Sequence, residues 1–503
     1  MTYRNRRRTS HVASSLGRGT RDVATKVLVL GLGSYPGGTG VQSAIYFAKR
    51  GFDVLVTDLK TAEQIGENVK TLKRYKNVEF RLGENKVEDL EWADVIVRNP
   101  DIKKILPIYK AAAKTGKPLI NDITIFLEQA TCPTVGITGT RGKSTTTSWI
   151  HDMLAKSGKK SYLGGNITVS PLTFIEKIKK DDIAVIELSS WLLEPCGDAG
   201  RSPHIAVWTN VMSDHLNAYD GVEDYAEAKA QIMRHQKATD VFIPNLDDEI
   251  VSAYASEAAG TVKGFALKKM RNAWAWTQDG WLAAKVRGRE TEIVKLSELS
   301  LRGPHNVMNA LAATVGALEA GATLEGVRKS LKTFGGVPYR QQIVAVKKGI
   351  TFVNDTTATT PDAAIAALRA FAVETANSKQ QTARLKAGNQ RRGTLDVGRC
   401  TIHWICGGAH KGLDYTPLVQ EARGKDLDIH VLAGTAYDKL TAEFDKKKIR
   451  YAKAETLKQA FDACIKTAKA DDVVLLSPAC ASFGLFKNEF DRGDQFNALV
   501  KKV

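Results

Sequence analysis

The chain has 503 residues, 43% hydrophobic and 25% charged, with a formal net charge of +17. This balance excludes a wholly disordered protein and leaves room for several domains with sizeable cores. No apolar run approaches the ~18 residues of a membrane span, and no apolar segment follows the basic N-terminus, so a cytoplasmic protein without a secretory signal is expected.

The charge is unevenly placed. Residues 1–26 carry a net +6 and residues 375–400 a net +5. Both segments are polar and lack hydrophobic periodicity, so they read as a basic tail and a loop insertion. A nucleic-acid partner is therefore not expected, whereas anionic substrates would suit a basic surface. Cys132, Cys196, Cys400, Cys406, Cys464 and Cys480 show no C-x-x-C spacing. They read as reduced thiols, not as a disulfide framework or a zinc site.

In chain order, "KVLVLGLG" is an apolar strand ending in glycines, followed by the amphipathic "VQSAIYFAKRG" and the strand "DVLVTD". Strand, glycine loop, helix and strand, with Asp58 closing the second strand, resemble a dinucleotide fingerprint. Gly31 and Gly33 fit it, but position 36 is Pro36 and the loop is longer than the motif allows. A backbone-amide cradle for a diphosphate is expected here, without hydride chemistry. Next, "PTVGITGT" reads as a buried strand and "KSTTTSWIHDMLAKSG" as a helix ending at glycine. The turn between them presents Lys143 and Ser144 as a phosphate loop would. Ile137 stands where a Walker-type loop has its first glycine; the glycines are Gly136, Gly139 and Gly142. Lys143 would face phosphates and Ser144 could reach Mg²⁺. Farther on, Glu187 and His215 follow β-rich runs, which would place them on the same sheet edge, where they could serve a hard cation.

These motifs, in this order, resemble the Mur ligase family of ATP-dependent amide-forming enzymes. The loop Thr138-Gly139-Thr140-Arg141-Gly142-Lys143-Ser144 matches the family's shortened phosphate loop. "GGNI" (164–167), "ELSS" (187–190), "AEAKA" (226–230), "HNVMNALAA" (305–313), "NDTTATTPDAA" (354–364) and "LLSPACASFGLFKNEFDRGDQF" (475–496) match as well. The resemblance implies three α/β domains after a tail of residues 1–26. These are a Rossmann-like UDP-substrate domain (27–130), a central P-loop-type ATPase domain with a mostly parallel sheet (131–336), and a Rossmann-like amino-acid domain (337–503).

The branch it matches best implies addition of D-glutamate to UDP-N-acetylmuramoyl-L-alanine, using ATP and Mg²⁺, by a monomer without a membrane partner. Residue by residue, it implies catalytic roles for Lys143, His215 and Lys229. ATP would be bound by Gly139, Thr140, Arg141, Gly142, Lys143, Ser144, Thr145, Asn306, Asn309, Arg340 and Asp355. The UDP substrate would meet Gly31, Gly33, Ser34, Asp58, Asn166, Ser189 and His215. Metal would sit near Ser144, Glu187, His215 and a carbamylated Lys229. The amino acid would meet Thr359, Lys411 and Ser482. Departures from the family pattern cluster at the amino-acid site: Thr357 replaces a lysine, Leu192 a glutamine, and Glu489 a phenylalanine. Two alternatives stay open: a ligase for another amino acid, and a non-catalytic UDP-sugar or nucleic-acid binder.

Overall fold

The structure, a computed structural model, describes residues 26–167, 169–212, 218–301, 303–371, 401–410 and 412–503. His215 and Lys411, with residues 1–25 and 372–400, lie outside the described residues. The chain forms two compact units that divide between Phe334 and Gly335.

The first unit carries two parallel sheets. Strands β1 (Lys26–Leu30), β2 (Asp53–Asp58), β3 (Val78–Leu82), β4 (Val95–Arg98) and β5 (Leu119–Ile120) form one, in the order β3-β2-β1-β4-β5. Strands β6 (Thr134–Thr138), β7 (Ser161–Gly165), β8 (Ile183–Glu187), β9 (Ile205–Trp208), β10 (Val241–Pro244) and β11 (Thr261–Val262) form the second, in the order β11-β10-β9-β6-β8-β7. β4, β6, β8 and β9 are buried along their whole length. Strands covered by helices on both faces need no polar alternation. Parallel pairing brings all strand C-termini of a sheet to one edge, where glycine loops and polar residues gather.

The two sheets share one core. Val27, Phe47, Phe126, Trp191 and Phe242 belong to a single buried cluster. Polar ties reinforce it. Arg98, at the end of β4, is buried and donates to Glu194 Oε2 at 2.9 Å, to the Ile102 carbonyl at 3.3 Å and to the Trp191 carbonyl. Tyr219 donates to the other Glu194 oxygen at 2.9 Å. The Ser170 amide donates to the Gly37 carbonyl at 2.7 Å, and Asn121 Nδ2 donates to the Leu192 carbonyl at 2.9 Å.

A third, four-stranded sheet was not foreseen in the sequence. Strands β12 (Gly264–Phe265), β13 (Ala273–Gln278), β14 (Trp281–Val286) and β15 (Arg289–Lys295) form it, with antiparallel hairpins β13–β14 and β14–β15. Each hairpin closes through a two-residue turn, Asp279-Gly280 and Arg287-Gly288, with φ positive at both residues. Such primed turns match the strand twist, and Asp-Gly is a readable hairpin signal.

The second unit is one six-stranded sheet: β16 (Gln342–Lys347), β17 (Ile350–Asn354), β18 (Ile402–Gly407), β19 (Leu427–Leu432), β20 (Ala452–Ala454) and β21 (Val473–Leu476). The order is β16-β17-β21-β18-β19-β20, antiparallel at β16 and parallel elsewhere. Trp404, Phe444 and Leu475 fill one core; Phe352, Phe461 and Phe496 fill another. Near the strand N-termini, His403 is buried and bonded through Nδ1 to Asp428 at 2.8 Å and through Nε2 to Asp472 at 3.3 Å. Burial alone would lower the pKa of this imidazole, but the two carboxylates prevail and raise it. The five described cysteines are free and buried, as their spacing implied.

Candidate active site

The turn after β6 is a loop fixed from several sides. Gly139 has φ +146°, and a Cβ there would lie 1.9 Å from Thr209 Oγ1. Gly142 has φ +82°, and a Cβ there would lie 2.2 Å from Asn309 Oδ1. Both positions therefore need glycine, for backbone shape and for close approach. The helix Lys143–Lys156 starts at Gly142, so its unpaired N-terminal amides face the loop. Trp149, Ile150, Met153 and Leu154, all fully buried, anchor that helix in the core. Lys143 Nζ donates to the Gly139 carbonyl at 2.8 Å and to the Thr140 carbonyl at 3.0 Å. It thus curls over the loop and holds a cation there. Ser144 is buried, Thr145 half-buried and Arg141 exposed.

Two residues that sequence reasoning missed hold this loop: Thr209 and Asn210, immediately after β9. Thr209 Oγ1 donates to the Arg141 carbonyl at 2.7 Å. Asn210 Oδ1 accepts the Arg141 amide at 2.8 Å, and the Asn210 carbonyl accepts the Thr140 amide at 2.9 Å. Their only local mark in the sequence is that a polar pair ends an apolar run.

Glu187 ends β8, which pairs directly with β6. It is buried; Oε1 accepts Asn166 Nδ2 at 3.0 Å, while Oε2 has no hydrogen-bond partner among the described residues. An orphaned carboxylate oxygen is costly to bury unless something else satisfies it. Ser189, just beyond, has a buried hydroxyl in the same condition. Lys229 is also buried: Nζ donates to the Gly139 carbonyl at 3.1 Å and lies 4.2 Å from the centre of the Tyr225 ring. A lysine on an amphipathic helix ordinarily faces solvent; the phosphate loop and Tyr225, one turn earlier, draw this one inward. The N-terminal part of the helix Pro304–Glu319 completes the cluster. Asn309 lies against Gly142 and donates to Asn306 Oδ1 at 3.2 Å. Thus Gly139 to Thr145, Asn166, Glu187, Lys229, Asn306 and Asn309 are brought to one place.

At the β1 edge, the loop holding Gly31, Gly33 and Ser34 is organised by Asp58. One Asp58 oxygen accepts the Gly33 amide and the other the Lys60 amide, each at 2.9 Å. Lys60 Nζ donates to Ser34 Oγ at 2.6 Å, which places a cation at the loop.

In the second unit, Asp355 follows β17 and is buried. Its oxygens accept the Gln341 amide at 3.0 Å and Ser477 Oγ at 2.7 Å. Burial outweighs these bonds and the nearby Arg340 charge, and pushes its pKa up to about 7. Arg340 is exposed. Thr359 and Ser482 lie in two loops laced together by the Ala479 amide donating to the Ala358 carbonyl at 2.8 Å. Arg492 runs beneath both loops and is fully buried, a residue not singled out in the sequence. Glu489 begins the last helix, and its carbonyl accepts Thr356 Oγ1 at 2.8 Å.

Family models match most of the chain. A Mur ligase MurD-like N-terminal domain matches residues 25–121, the Mur ligase middle domain residues 137–317, and the Mur ligase glutamate ligase domain residues 339–480. The chain is 34% identical, over 95% of its length and 98% of the relative's, to UDP-N-acetylmuramoylalanine–D-glutamate ligase of Roseiflexus sp. (strain RS-1). Among solved structures, MurF from Acinetobacter baumannii is similar with a TM-score of 0.54 and 16% identity, covering 99% of this chain and 98% of that one. MurF ligase from Thermotoga maritima, solved in complex with ADP, has a TM-score of 0.50 and 17% identity, covering 96% and 100%. With a phosphate loop of the family's form and a relative this similar over nearly its whole length, the chain belongs to the Mur ligase family.

Proposed function

We propose that the protein ligates D-glutamate to UDP-N-acetylmuramoyl-L-alanine at the expense of ATP, in the cytoplasm. The observation that carries this reading is the pinned loop Gly139–Ser144, with Lys143 curled over it and the orphaned Glu187 oxygen on the same sheet edge. The relative from Roseiflexus, whose name states this acceptor and this amino acid, supports the choice of substrates.

The chemistry requires two displacements. A carboxylate oxygen of the acceptor attacks the γ-phosphorus of ATP and ADP leaves. The D-glutamate nitrogen then attacks the acyl carbon, inorganic phosphate leaves, and the nitrogen sheds a proton. Every participant is anionic, so the protein must supply cations and oriented amide dipoles. In this reading Lys143 and the amides after Gly142 hold the β- and γ-phosphates, and Asn306 and Asn309 border the nucleotide. Asn166 and the Ser189 hydroxyl receive the acceptor, whose diphosphate rests on the Gly31–Ser34 loop. Within the second unit, Thr359 and Ser482 contact the amino acid.

The donor set also fits Mg²⁺: a buried carboxylate oxygen without a partner and the buried Ser144 hydroxyl are hard oxygen ligands. When bound, the ion would neutralise charge building on the phosphate oxygens. Lys229 as an ammonium would repel such an ion, whereas a carbamate on its Nζ would support one. The test is phosphate release with UDP-N-acetylmuramoyl-L-alanine and ATP across a panel of D- and L-amino acids. Release that is strongest with D-glutamate is expected; equal or better release with another amino acid would overturn the substrate assignment.

A further inference from the structure

Lys103 and Lys104 follow β4, the strand that pairs with β1, and so lie beside the loop of Gly31, Gly33 and Ser34. The turn that carries them is built against that loop. The Asn99 amide donates to the Leu30 carbonyl at 3.0 Å, the Ile102 amide to the Asn99 carbonyl at 2.9 Å, and the Leu106 amide to the Lys103 carbonyl at 3.0 Å. A Cβ on Gly31 would lie 2.9 Å from Asn99 Cβ and 3.4 Å from Ile102 Cγ1, and one on Gly33 would lie 3.1 Å from Asn99 Nδ2. Asn99 and Ile102 therefore pack on the loop, and Lys103 is the next residue.

The two lysines part from there. Lys104 Nζ turns to Glu194, 3.4 Å away, a carboxylate that Arg98 also meets. Lys103 is half-buried, and its Nζ lies 5.2 Å from the centre of the Trp191 ring. Trp191 stands in the first turn of the helix Ser190–Ala199, two residues beyond Ser189, and its ring stacks on Tyr219 at 4.8 Å. An indole face attracts an ammonium but carries no net charge, so it seats the cation without neutralising it. The acid of the same turn, Asp101, is exposed and its charge is screened by water. Lys103 thus joins two places: its backbone adjoins the Gly31 loop, and its ammonium rests on the helix that begins after Ser189. At the other end of the loop, Lys60 Nζ donates to Ser34 Oγ.

We propose that Lys103 binds the diphosphate of the UDP acceptor, flanking the Gly31–Ser34 loop on the side away from Lys60. This rests on the acceptor reading given above, in which the diphosphate lies on that loop and the far end of the acceptor meets Asn166 and Ser189. A diphosphate diester carries two negative charges, and one cation at each end of the loop matches them. UDP is the informative probe, since it carries the diphosphate but neither the muramoyl sugar nor the carboxylate of the acceptor.

The experiment measures inhibition of phosphate release by UDP, with KM for the acceptor, ATP and D-glutamate, in the full-length protein and in Lys103→Met, Lys103→Gln and Lys103→Arg. In the two neutral variants the inhibition constant of UDP and KM for the acceptor should rise together, by about tenfold. KM for ATP and for D-glutamate should change less than about twofold. Lys103→Arg keeps the charge and should stay within about threefold of the unaltered protein. The gap between the neutral variants and the unaltered protein should narrow as salt is added. A raised acceptor KM with unchanged UDP inhibition would place Lys103 at the sugar or the carboxylate and overturn the proposal. So would Lys103→Met and Lys103→Arg weakened alike, which would reveal packing on Trp191, or no change in either constant. An unaltered protein that does not turn over UDP-N-acetylmuramoyl-L-alanine would overturn the substrate reading and this inference with it. One that turns it over, with UDP inhibition absent or indifferent to Lys103, would overturn this inference alone.

Discussion

Asp355→Asn should make the second unit more stable, and increasingly so as the pH rises. Asp355 is buried and its pKa is pushed up from 3.8 to about 7. The folded protein therefore holds a proton there that the unfolded chain releases near pH 3.8. Between those two values the native state binds more protons, so stability falls with rising pH; below and above the window this group adds no slope. The difference of about 3 pKa units corresponds to a ceiling of about 4 kcal/mol at pH ~8. An asparagine keeps the geometry: its oxygen can accept the Gln341 amide and its nitrogen can donate to Ser477 Oγ, without a charge to bury. The gain from the substitution should thus be near zero at pH ~4, and about 2–4 kcal/mol at pH ~8. Denaturant-dependent hydrogen exchange of the β17 and β21 amides, read by mass spectrometry, reports this unit separately. Stability profiles for the two proteins that run parallel from acid to mild alkali would refute the argument, because the pH-dependent part would then not arise at Asp355.

Other outcomes follow from the same geometry. Lys143→Ala should lower ATP-dependent turnover by about a hundredfold or more, while calorimetric binding of the UDP acceptor persists; normal turnover would remove the loop from the mechanism. Lys229→Ala should fold but lose about a hundredfold in turnover, with partial rescue by acetate, the measure being phosphate release with and without the added acid. His403→Asn should destabilise the second unit most at mildly acid pH. The raised pKa of His403 means that its ion-paired form contributes fully below the unfolded value of 6.5 and is lost as pH rises through the folded one. A loss of about 1–3 kcal/mol near pH ~6 that shrinks toward pH ~9 is expected in denaturant melts, and a pH-independent loss would contradict it.

Much of this arrangement was legible in the sequence because short-range rules govern it. Apolar runs such as "KVLVL" and "PTVGIT" become strands buried on both faces, and Gly142 before Lys143 starts a helix at the phosphate loop. Glu187 could be placed because strand C-termini must share an edge. What was not legible depends on long-range contact. Nothing local distinguishes Lys229 from a solvated lysine; its burial comes from the Gly139 carbonyl, ninety residues away. Thr209 and Asn210 matter because β9 lies beside β6, which only the sheet order reveals. Arg492 sits in a charged-looking run, "NEFDRGDQF", that reads as a solvated helix face; its burial comes from packing against Thr356 and Cys480. The small four-stranded sheet was the exception, since the Asp279-Gly280 turn of its first hairpin was visible.

The shared core of the first unit has a geometric consequence. Arg98, Asn121 and Ser170 tie the elements around the Gly31–Ser34 loop to those around Glu187 and Ser189. If the acceptor lies across both, its diphosphate and its terminal carboxylate rest on points whose separation was fixed when the chain folded. The fold then works as a calliper set to one length. An acceptor with one amino acid too many would carry its carboxylate past the phosphate loop, and one with none would stop short. Length would be judged by a rigid span, without any residue needing to contact what is absent.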